Sequence, residues 1–256
     1  MEGEIKESML VYAKPPTLLT HLKRSLRRIC LVYVNPFKLF DEVSRSPDFL
    51  GPVIVVSLVI VISLYEGFLW YSKAEILYYN GTKVSLSGGY ISQLTSIASL
   101  RILGVVMRWF IAFGVFWLVS SILKGQGEHA SLFSATGYLF SVYLLHMIID
   151  TLHLVFFLSS MPSLTIFITY SASCTTKIKD LIVAHAVAQW ISNAPWPMST
   201  IRTYYAWFFS LWNIVVCLAI YISERKMTPI RAIIASLITY FLMMFAEVLF
   251  VQPLFI

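Results

Sequence analysis

One stretch of the chain is long and apolar enough to cross a membrane, yet it carries three ionisable side chains. The segment 138–158 has the roughly 20 residues that a helix needs to span the ~30 Å hydrocarbon core at about 1.5 Å per residue. His146, Asp150 and His153 follow one another at spacings of four and three residues, so they lie on one face of that helix. An ionisable side chain in hydrocarbon costs at least about 2.5–3.5 kcal/mol, so this face must contact protein or water. The remaining chain must supply helices that cover it.

The composition indicates an integral membrane protein. Of the 256 residues, 58% are hydrophobic and only 12% are charged, whereas a soluble domain has about 25% charged residues. Four further apolar segments are long enough to span a bilayer: 51–71, 102–123, 204–222 and 229–251. The sequence therefore predicts an all-α polytopic protein with a five-helix transmembrane bundle in residues 51–256.

The region before the bundle has a different pattern. Residues 1–16 are polar and predict a flexible tail, and residues 17–50 predict an amphipathic region at the membrane surface. Within 17–34 one helical face is apolar. Four basic side chains lie opposite it: Lys23, Arg24, Arg27 and Arg28. This pattern favours a helix in the membrane surface with its basic face towards anionic headgroups. A solvated helix packed on a protein partner is the alternative.

The distribution of positive charge predicts the orientation of the chain. Of the nineteen Lys and Arg residues, twelve fall in residues 1–50 and in the links after the second and fourth spans, and six fall in the other links. Links rich in Lys and Arg stay on the cytoplasmic side, so we expect a cytoplasmic amino terminus and an external carboxyl terminus. The triplet Asn80-Gly81-Thr82 agrees, because a glycosylation sequon is used only on the external side.

The longest external link, residues 159–203, is too apolar for a loose loop and predicts an ordered cap over the bundle. It contains an apolar piece at 164–170 and a predicted helix at 176–192. We expect this cap to be helical.

Several ionisable residues are predicted to share the outer half of the bundle. They form a predicted polar cluster: Glu66, Arg108, His146, Asp150, His153 and Glu247. The simplest interpretation is a buried pair of Arg108 with Glu66 or Asp150 that holds two helices in register. The functional alternative is a water-accessible external pocket for a cation, a proton or a polar ligand.

The sequence predicts neither catalysis nor a cofactor. His146, Asp150 and His153 are zinc-ligand types, but no Cys or Glu nearby completes a known ligand pattern, so no metal site is predicted. The chain has no recognisable nucleophile motif, phosphate loop or nucleotide fingerprint. Enzyme activity and nucleic-acid binding are therefore not expected.

Two short motifs flank the first and third spans. The first runs from Asn35-Pro36 to Asp48-Phe49-Leu50-Gly51-Pro52, and the second is Gly137-Tyr138 after a glycine-containing link. Pro52 suits the first turn of a helix, Asp48 favours the positive helix end, and Gly137 lets two helices approach closely. The motifs resemble those of the Yip (Ypt/Rab-interacting protein) domain of five-span membrane proteins. The eukaryotic motif has Tyr at the position of Leu50, and the 159–203 link is longer than the family core requires.

The resemblance implies a non-enzymatic protein that works through membrane partners. We expect a scaffold, adaptor or accessory subunit in a hetero-oligomeric complex with other membrane proteins. Eukaryotic relatives act in vesicle traffic, whereas we expect a prokaryotic member in the plasma membrane. A transport or ion-conducting component that uses the polar cluster is the alternative. The inner half of the spans is almost free of ionisable residues, which favours the scaffold.

Overall fold

A computed structural model of the chain describes residues 18–78, 81–158, 163–168, 186, 189, 198–246 and 249. Three expectations fall outside these residues: the tail at 1–16, the candidate glycosylation site Asn80 and the acidic residue Glu247. Only residues 186 and 189 of the predicted helix at 176–192 are described.

The described residues are mainly helical, which confirms the predicted fold class. The helices are, in chain order, α1 (Leu18–Val34), α2 (Pro36–Arg45), α3 (Leu50–Ser72), α4 (Leu86–Ser92), α5 (Leu94–Ile122), α6 (His129–Phe157), α7 (Met198–Ala219) and α8 (Pro229–Ala246). A π-helical turn, Ile220–Glu224, extends α7. Five helices, α3 and α5 to α8, are long and apolar enough to span a membrane, as predicted.

Three of the spanning helices begin earlier than the hydropathy of the sequence predicts. Helix α5 begins at Leu94 rather than at residue 102, α6 at His129 rather than at 138, and α7 at Met198 rather than at 204. The added turns contain Ser, Thr, His or Arg, so they lower the local hydropathy without breaking the helix. Residues in these turns therefore lie on helices rather than in links.

The structure contains a small three-stranded sheet that the sequence did not predict. One of its strands is formed by the apolar segment of the 159–203 link, and the other two follow the first span. Strands β1 (Ala74–Tyr78) and β2 (Lys83–Ser85) are antiparallel, and β3 (Leu164–Ile168) runs parallel to β1. Ile76 lies opposite Val84 on one side and Ile166 on the other. Because β3 is rich in β-branched residues, it favours an extended conformation over a helix.

Helix α6 lies at the centre of the bundle and packs against α1, α2, α3, α5 and α7. Its buried Tyr138 belongs to the same core as Phe116 of α5 and Tyr221 of the π-helical turn. This arrangement covers the polar face of α6 with other helices, as its ionisable residues require.

Helices α1 and α2 pack across one end of the bundle, which we call the α1–α2 end; the opposite end, next to the sheet, is the sheet end. Helix α1 contacts α3 and α6, and α2 contacts α6, α7 and the π-helical turn. The side chain of Asn35 accepts a hydrogen bond from the Lys38 amide (3.0 Å), which caps α2, and Pro36 occupies its first turn. Three fully buried apolar residues attach α2 to the bundle: Leu39, Phe40 and Val43.

Candidate functional site

The motif residues meet at the start of α3, where Asp48 accepts hydrogen bonds from three directions. Its Oδ1 accepts the amide of Gly51 (2.9 Å), and its Oδ2 accepts the hydroxyl of Tyr138 (2.7 Å) and Nη1 of Arg28 (2.6 Å). Ser25 of α1 also donates to Oδ1 (3.3 Å). These contacts join α1, α3 and α6. We call Ser25, Arg28, Asp48, Gly51 and Tyr138 the motif cluster.

The motif cluster stabilises the ionised form of Asp48. Burial opposes ionisation of this carboxyl group, but the hydrogen bonds from Gly51, Tyr138 and Arg28 and the charge of Arg28 outweigh burial and lower the pKa of Asp48 below its usual value. The Arg28 side chain is only 3% exposed. The cluster therefore contains a largely desolvated ion pair.

Two glycines allow α3 and α6 to approach closely at the motif cluster. A Cβ atom at Gly51 would lie 2.8 Å from Cε1 of the Tyr138 ring, and nearer still to its hydroxyl group. A Cβ atom at Gly137 would lie 2.9 Å from Cγ of Pro52 and 2.8 Å from Cζ2 of Trp109. The Gly51-Pro52 and Gly137-Tyr138 pairs, distant in sequence, thus form one contact between two spans.

Part of the predicted polar cluster comes together at the sheet end. Asp150 of α6 accepts hydrogen bonds from Arg202 (Nη2 to Oδ2, 2.8 Å) and from the hydroxyl of Tyr205, both on α7. Glu66 of α3 is a side-chain neighbour of Asp150 and Arg202. The guanidinium of Arg202 also lies over the ring of Trp70, 5.7 Å from its centroid. We call Glu66, Asp150, Arg202 and Tyr205 the sheet-end cluster.

The two histidines of this helical face contact aromatic rings beside the sheet-end cluster. The His146 ring stacks on Phe209 (centroids 5.2 Å apart) and meets Tyr205 edge-on (5.4 Å). The His153 ring meets Tyr205 edge-on at 6.0 Å. Among the residues that the structure describes, no three His, Cys, Asp or Glu side chains are arranged to hold a metal ion.

Arg108 does not lie at the depth that the sequence predicts. Because α5 begins at Leu94, Arg108 is about 21 Å from that end of its helix, whereas Asp150 is only about 10 Å from the sheet end of α6. The cation that pairs with Asp150 is Arg202, not Arg108. The guanidinium of Arg108 instead lies over the ring of Tyr143, 5.6 Å from its centroid. The predicted partner was wrong because α7 begins before residue 204, which brings Arg202 onto the helix.

A comparison with protein families matches residues 30–250 to the Yip1 domain. The match covers most of the chain. The chain belongs to the Yip1 domain family. Comparisons with curated proteins and with solved structures gave no match. The Yip1 family is not known as an enzyme family.

The basic residues of α1, which precede the residues matched to the Yip1 domain, do not all lie on one exposed face. Arg27 forms an exposed ion pair with Glu42 of α2, and Arg24 donates to Ser46 (3.4 Å). Arg28, predicted to lie on the basic face towards anionic headgroups, is instead buried against Asp48. In this chain Arg28 therefore attaches α1 to the bundle.

A further polar contact at the α1–α2 end of the Yip1 domain has little sequence signal. Glu224 of the π-helical turn is buried and accepts the hydroxyl of Ser131 on α6 (2.7 Å). The amide of Gln126 donates to the carbonyl of Arg225 (2.9 Å), which joins the α5–α6 and α7–α8 links. Gly127 adopts a φ of +127°, and a Cβ there would lie 2.9 Å from the Glu224 carbonyl oxygen. Among these residues only Gly127 gave a sequence signal for the contact, because glycine adopts a positive φ without steric strain.

Proposed function

We propose that this Yip1-family protein is a non-enzymatic membrane scaffold or accessory subunit that binds other membrane proteins through the outer faces of its spans. The observation that carries the proposal is that the intramembrane carboxylate Asp150 is bonded on both oxygens by Arg202 and Tyr205 of the same chain. A side chain held in this way fixes the register of α6 against α7. Asp48 does the same for α1, α3 and α6 at the other end.

The outer faces of the spans supply the surface for partners. Between 28% and 44% of the most apolar part of each span is buried in the chain, so every span keeps residues that are not covered by the other helices. Large apolar side chains are exposed on three different spans, at Phe110 of α5, Phe156 of α6 and Phe241 of α8. In a membrane these surfaces contact lipid or the helices of a hetero-oligomeric partner.

The sheet-end cluster favours the scaffold over the transport alternative. Ionisable groups that serve a transport pathway face a water-filled cavity or the route of the substrate. Here Asp150 is held by a cation and a hydroxyl group, and Arg202 is further held by its contact with Trp70. These contacts support a fixed structural element.

We propose that the α1–α2 end lies on the cytoplasmic side of a prokaryotic plasma membrane and that the sheet end lies outside. The excess of Lys and Arg in residues 1–50 supports this orientation. Helix α1 packs on the bundle through Ser25, Arg28 and Val32, and leaves Leu22 and Leu26 exposed. We infer that this uncovered apolar stripe lies in the lipid surface. Arg24 and Lys23 then face anionic headgroups.

A photo-crosslinking scan tests the proposed scaffold. A photoreactive amino acid is placed in turn at Phe110, Phe156 and Phe241, and at the buried Phe116 of α5 as the matched control. After irradiation of native membranes, we expect at least one exposed position to give a discrete protein adduct that the Phe116 position does not give. Exposed positions that yield lipid adducts alone would contradict the proposal.

A further inference from the structure

Helices α1 and α2 form a hairpin, and a cleft of about 270 Å³ lies between them. Six residues line this cleft: Arg24, Arg27, Arg28, Glu42, Arg45 and Ser46. Each of them is seven to eleven residues from Asn35, where the chain turns from α1 into α2, so the cleft is at the open end of the hairpin. Four of its six lining residues carry a guanidinium group.

The arginines of the cleft outnumber the carboxylates that they contact. Three of them form ion pairs, which are Arg27 with Glu42, Arg28 with Asp48 and Arg45 with Asp41. Arg24 instead contacts a neutral group, the hydroxyl of Ser46 (3.4 Å). Among the residues that the structure describes, four guanidinium groups therefore meet three carboxylates at the cleft, which leaves one positive charge in excess.

The guanidinium groups at the mouth of the cleft are accessible. The side chains of Arg27 and Arg45 are 61% and 77% exposed, and Arg24 is exposed as well. A guanidinium group binds a phosphate through two parallel hydrogen bonds. Because an exposed ion pair adds little stability, these side chains can turn from their carboxylate partners towards a phosphate. The mouth of the cleft therefore suits a phosphate group.

The cleft lies at the level where the first span begins. Arg28, at its base, binds Asp48, which precedes α3 by two residues. The turn of the hairpin lies deeper, because Tyr33 donates to the carbonyl of Ser141, about 4.5 Å further along α6 than the Tyr138 that binds Asp48. In a membrane the open end of the hairpin is therefore at the level of the lipid headgroups, and the turn points towards the hydrocarbon core.

The outward faces of the hairpin change from basic to apolar towards its turn. Val34 is seven residues after Arg27, on the same face of α1 and about 10 Å nearer the turn, and it is 81% exposed. Phe37 is eight residues before Arg45 on one stripe of α2 and is 38% exposed. A phospholipid has the same order along its length, with its phosphate at the headgroup level and its chains below. This order therefore matches a phospholipid better than a free phosphate ion.

We propose that the cleft binds the phosphate of a phospholipid with one net negative charge, of the class of phosphatidylglycerol. The phosphate lies between Arg24, Arg27 and Arg45, where the hydroxyl of Ser46 can donate to it. The acyl chains pass Val34 into the bilayer. Such a lipid neutralises the excess positive charge of the cleft, which zwitterionic phosphatidylcholine does not. The inference rests on the proposed position of α1 in the lipid surface and adds a specific headgroup site to it.

Native mass spectrometry of the full-length protein in detergent tests the proposal. The protein is mixed with equal amounts of dioleoyl phosphatidylglycerol and dioleoyl phosphatidylcholine. We expect the first bound lipid to be phosphatidylglycerol roughly fivefold more often than phosphatidylcholine, which is the factor that one basic side chain contributes near an anionic surface. Glycerol phosphate at the same concentration has the phosphate without the chains, so it should not displace the lipid.

Variants of the exposed arginines locate the site. Arg24→Gln and Arg45→Gln each remove the excess charge of the cleft and should reduce the preference for phosphatidylglycerol to less than about twofold. Both side chains are exposed, so these substitutions should leave the fold intact. The matched control is Arg231→Gln, which removes an exposed arginine at the same end of the bundle but outside the cleft lining. It should keep the full preference.

A second measurement distinguishes failure of the headgroup site from failure of the proposed position of α1. Val34→Cys is compared in lipid nanodiscs with Glu128→Cys, an exposed position at the same end of the bundle, each in a chain whose own cysteines are replaced by alanine. A charged maleimide should modify Glu128→Cys at least about tenfold faster, because Val34 lies in lipid. Equal rates would contradict the position of α1 in the membrane, and the headgroup site with it.

With Val34→Cys protected, three results would overturn the headgroup site alone. The first is equal binding of the two phospholipids, which would mean that the cleft does not recognise the charge of the lipid. The second is an unchanged preference in Arg24→Gln and Arg45→Gln, which would place the bound lipid elsewhere. The third is displacement of the lipid by glycerol phosphate, which would mean that the cleft binds a free phosphate compound.

Discussion

The Arg28 guanidinium lies 2.6 Å from the Asp48 carboxylate, and this ion pair joins α1 to the first turn of α3. The two side chains are 3% and 14% exposed, so water screens the pair only weakly. Tyr138 donates to the same carboxylate oxygen and brings α6 into the contact. A charged contact therefore helps to position α1 on the bundle, in addition to the burial of Val32 in the core.

Removal of one partner of this pair should destabilise the protein strongly. Asp48→Ala leaves the Arg28 charge buried and opposed only by more distant groups, so we expect a loss of about 3–5 kcal/mol. Adding Arg28→Met should restore part of the loss, because the stranded charge is then gone. Thermal unfolding in detergent across the double-mutant cycle measures both effects. Additive losses would show that the two side chains do not interact.

The stability contribution of Asp48 should depend on pH in acid. Its pKa is lowered by folding, so the contribution is complete above the unfolded value of 3.8 and is lost as the pH falls below that value through the folded pKa. The Asp48→Asn variant has an amide at this position, and an amide does not titrate in this pH range. The difference in unfolding temperature between the wild type and Asp48→Asn should therefore be constant from about pH 7 to pH 5 and shrink below about pH 4. A difference that grows in acid would contradict the hydrogen-bond network assigned to Asp48.

The close approach of α3 and α6 predicts opposite effects for two glycine substitutions. Gly51→Ala places a methyl group against the Tyr138 ring and should cost about 1–3 kcal/mol. Gly114→Ala on α5 is the matched control, because a Cβ there meets no atom within 4 Å. It should be neutral or stabilise by up to about 1 kcal/mol through helix propensity. Equal effects on the unfolding temperature would show that α3 and α6 are further apart at Gly51.

The sheet-end cluster predicts that Arg202, rather than Arg108, stabilises Asp150. Arg202→Leu should destabilise by about 1–3 kcal/mol, since it leaves a carboxylate in a site 12% exposed, and Asp150→Asn in the same protein should recover part of this. Lys83→Gln, which removes an exposed ion pair with Glu75, should cost at most about 1 kcal/mol. The comparison uses thermal unfolding in one detergent. An unchanged unfolding temperature in Arg202→Leu would show that the ion pair does not stabilise the protein.

Hydropathy and motif spacing were sufficient for the helical architecture. Five apolar segments predicted five spans, and the amphipathic pattern in 17–34 predicted α1. In the structure Asp48 accepts the Gly51 amide at the start of α3, and Gly137 lies at a close contact with Pro52. Helix starts and close helix contacts have short-range sequence signals.

Contacts between distant residues were not predictable in the same way. Asp48 and Tyr138 are 90 residues apart, and periodicity within one helix does not indicate which neighbour it faces. Arg202 was assigned to a link because the polar first turn of α7 lowers hydropathy. The polar first turns of α5 also lower hydropathy, so the predicted span began too late and Arg108 was predicted too close to the external end of its helix. The strand Leu164–Ile168 pairs with β1 across about 90 residues, which no local pattern specifies.

The central claim, that the protein acts as a membrane scaffold, is tested most directly by the composition of the complex extracted from native membranes. The tagged protein is taken up with its surrounding lipid into polymer-bounded discs, purified, and examined by mass photometry and quantitative proteomics. We expect discs in which the 29.2 kDa chain co-purifies with one or a few membrane proteins at a constant ratio. A chain recovered alone, which on reconstitution carries an ion flux that Asp150→Asn abolishes, would contradict it.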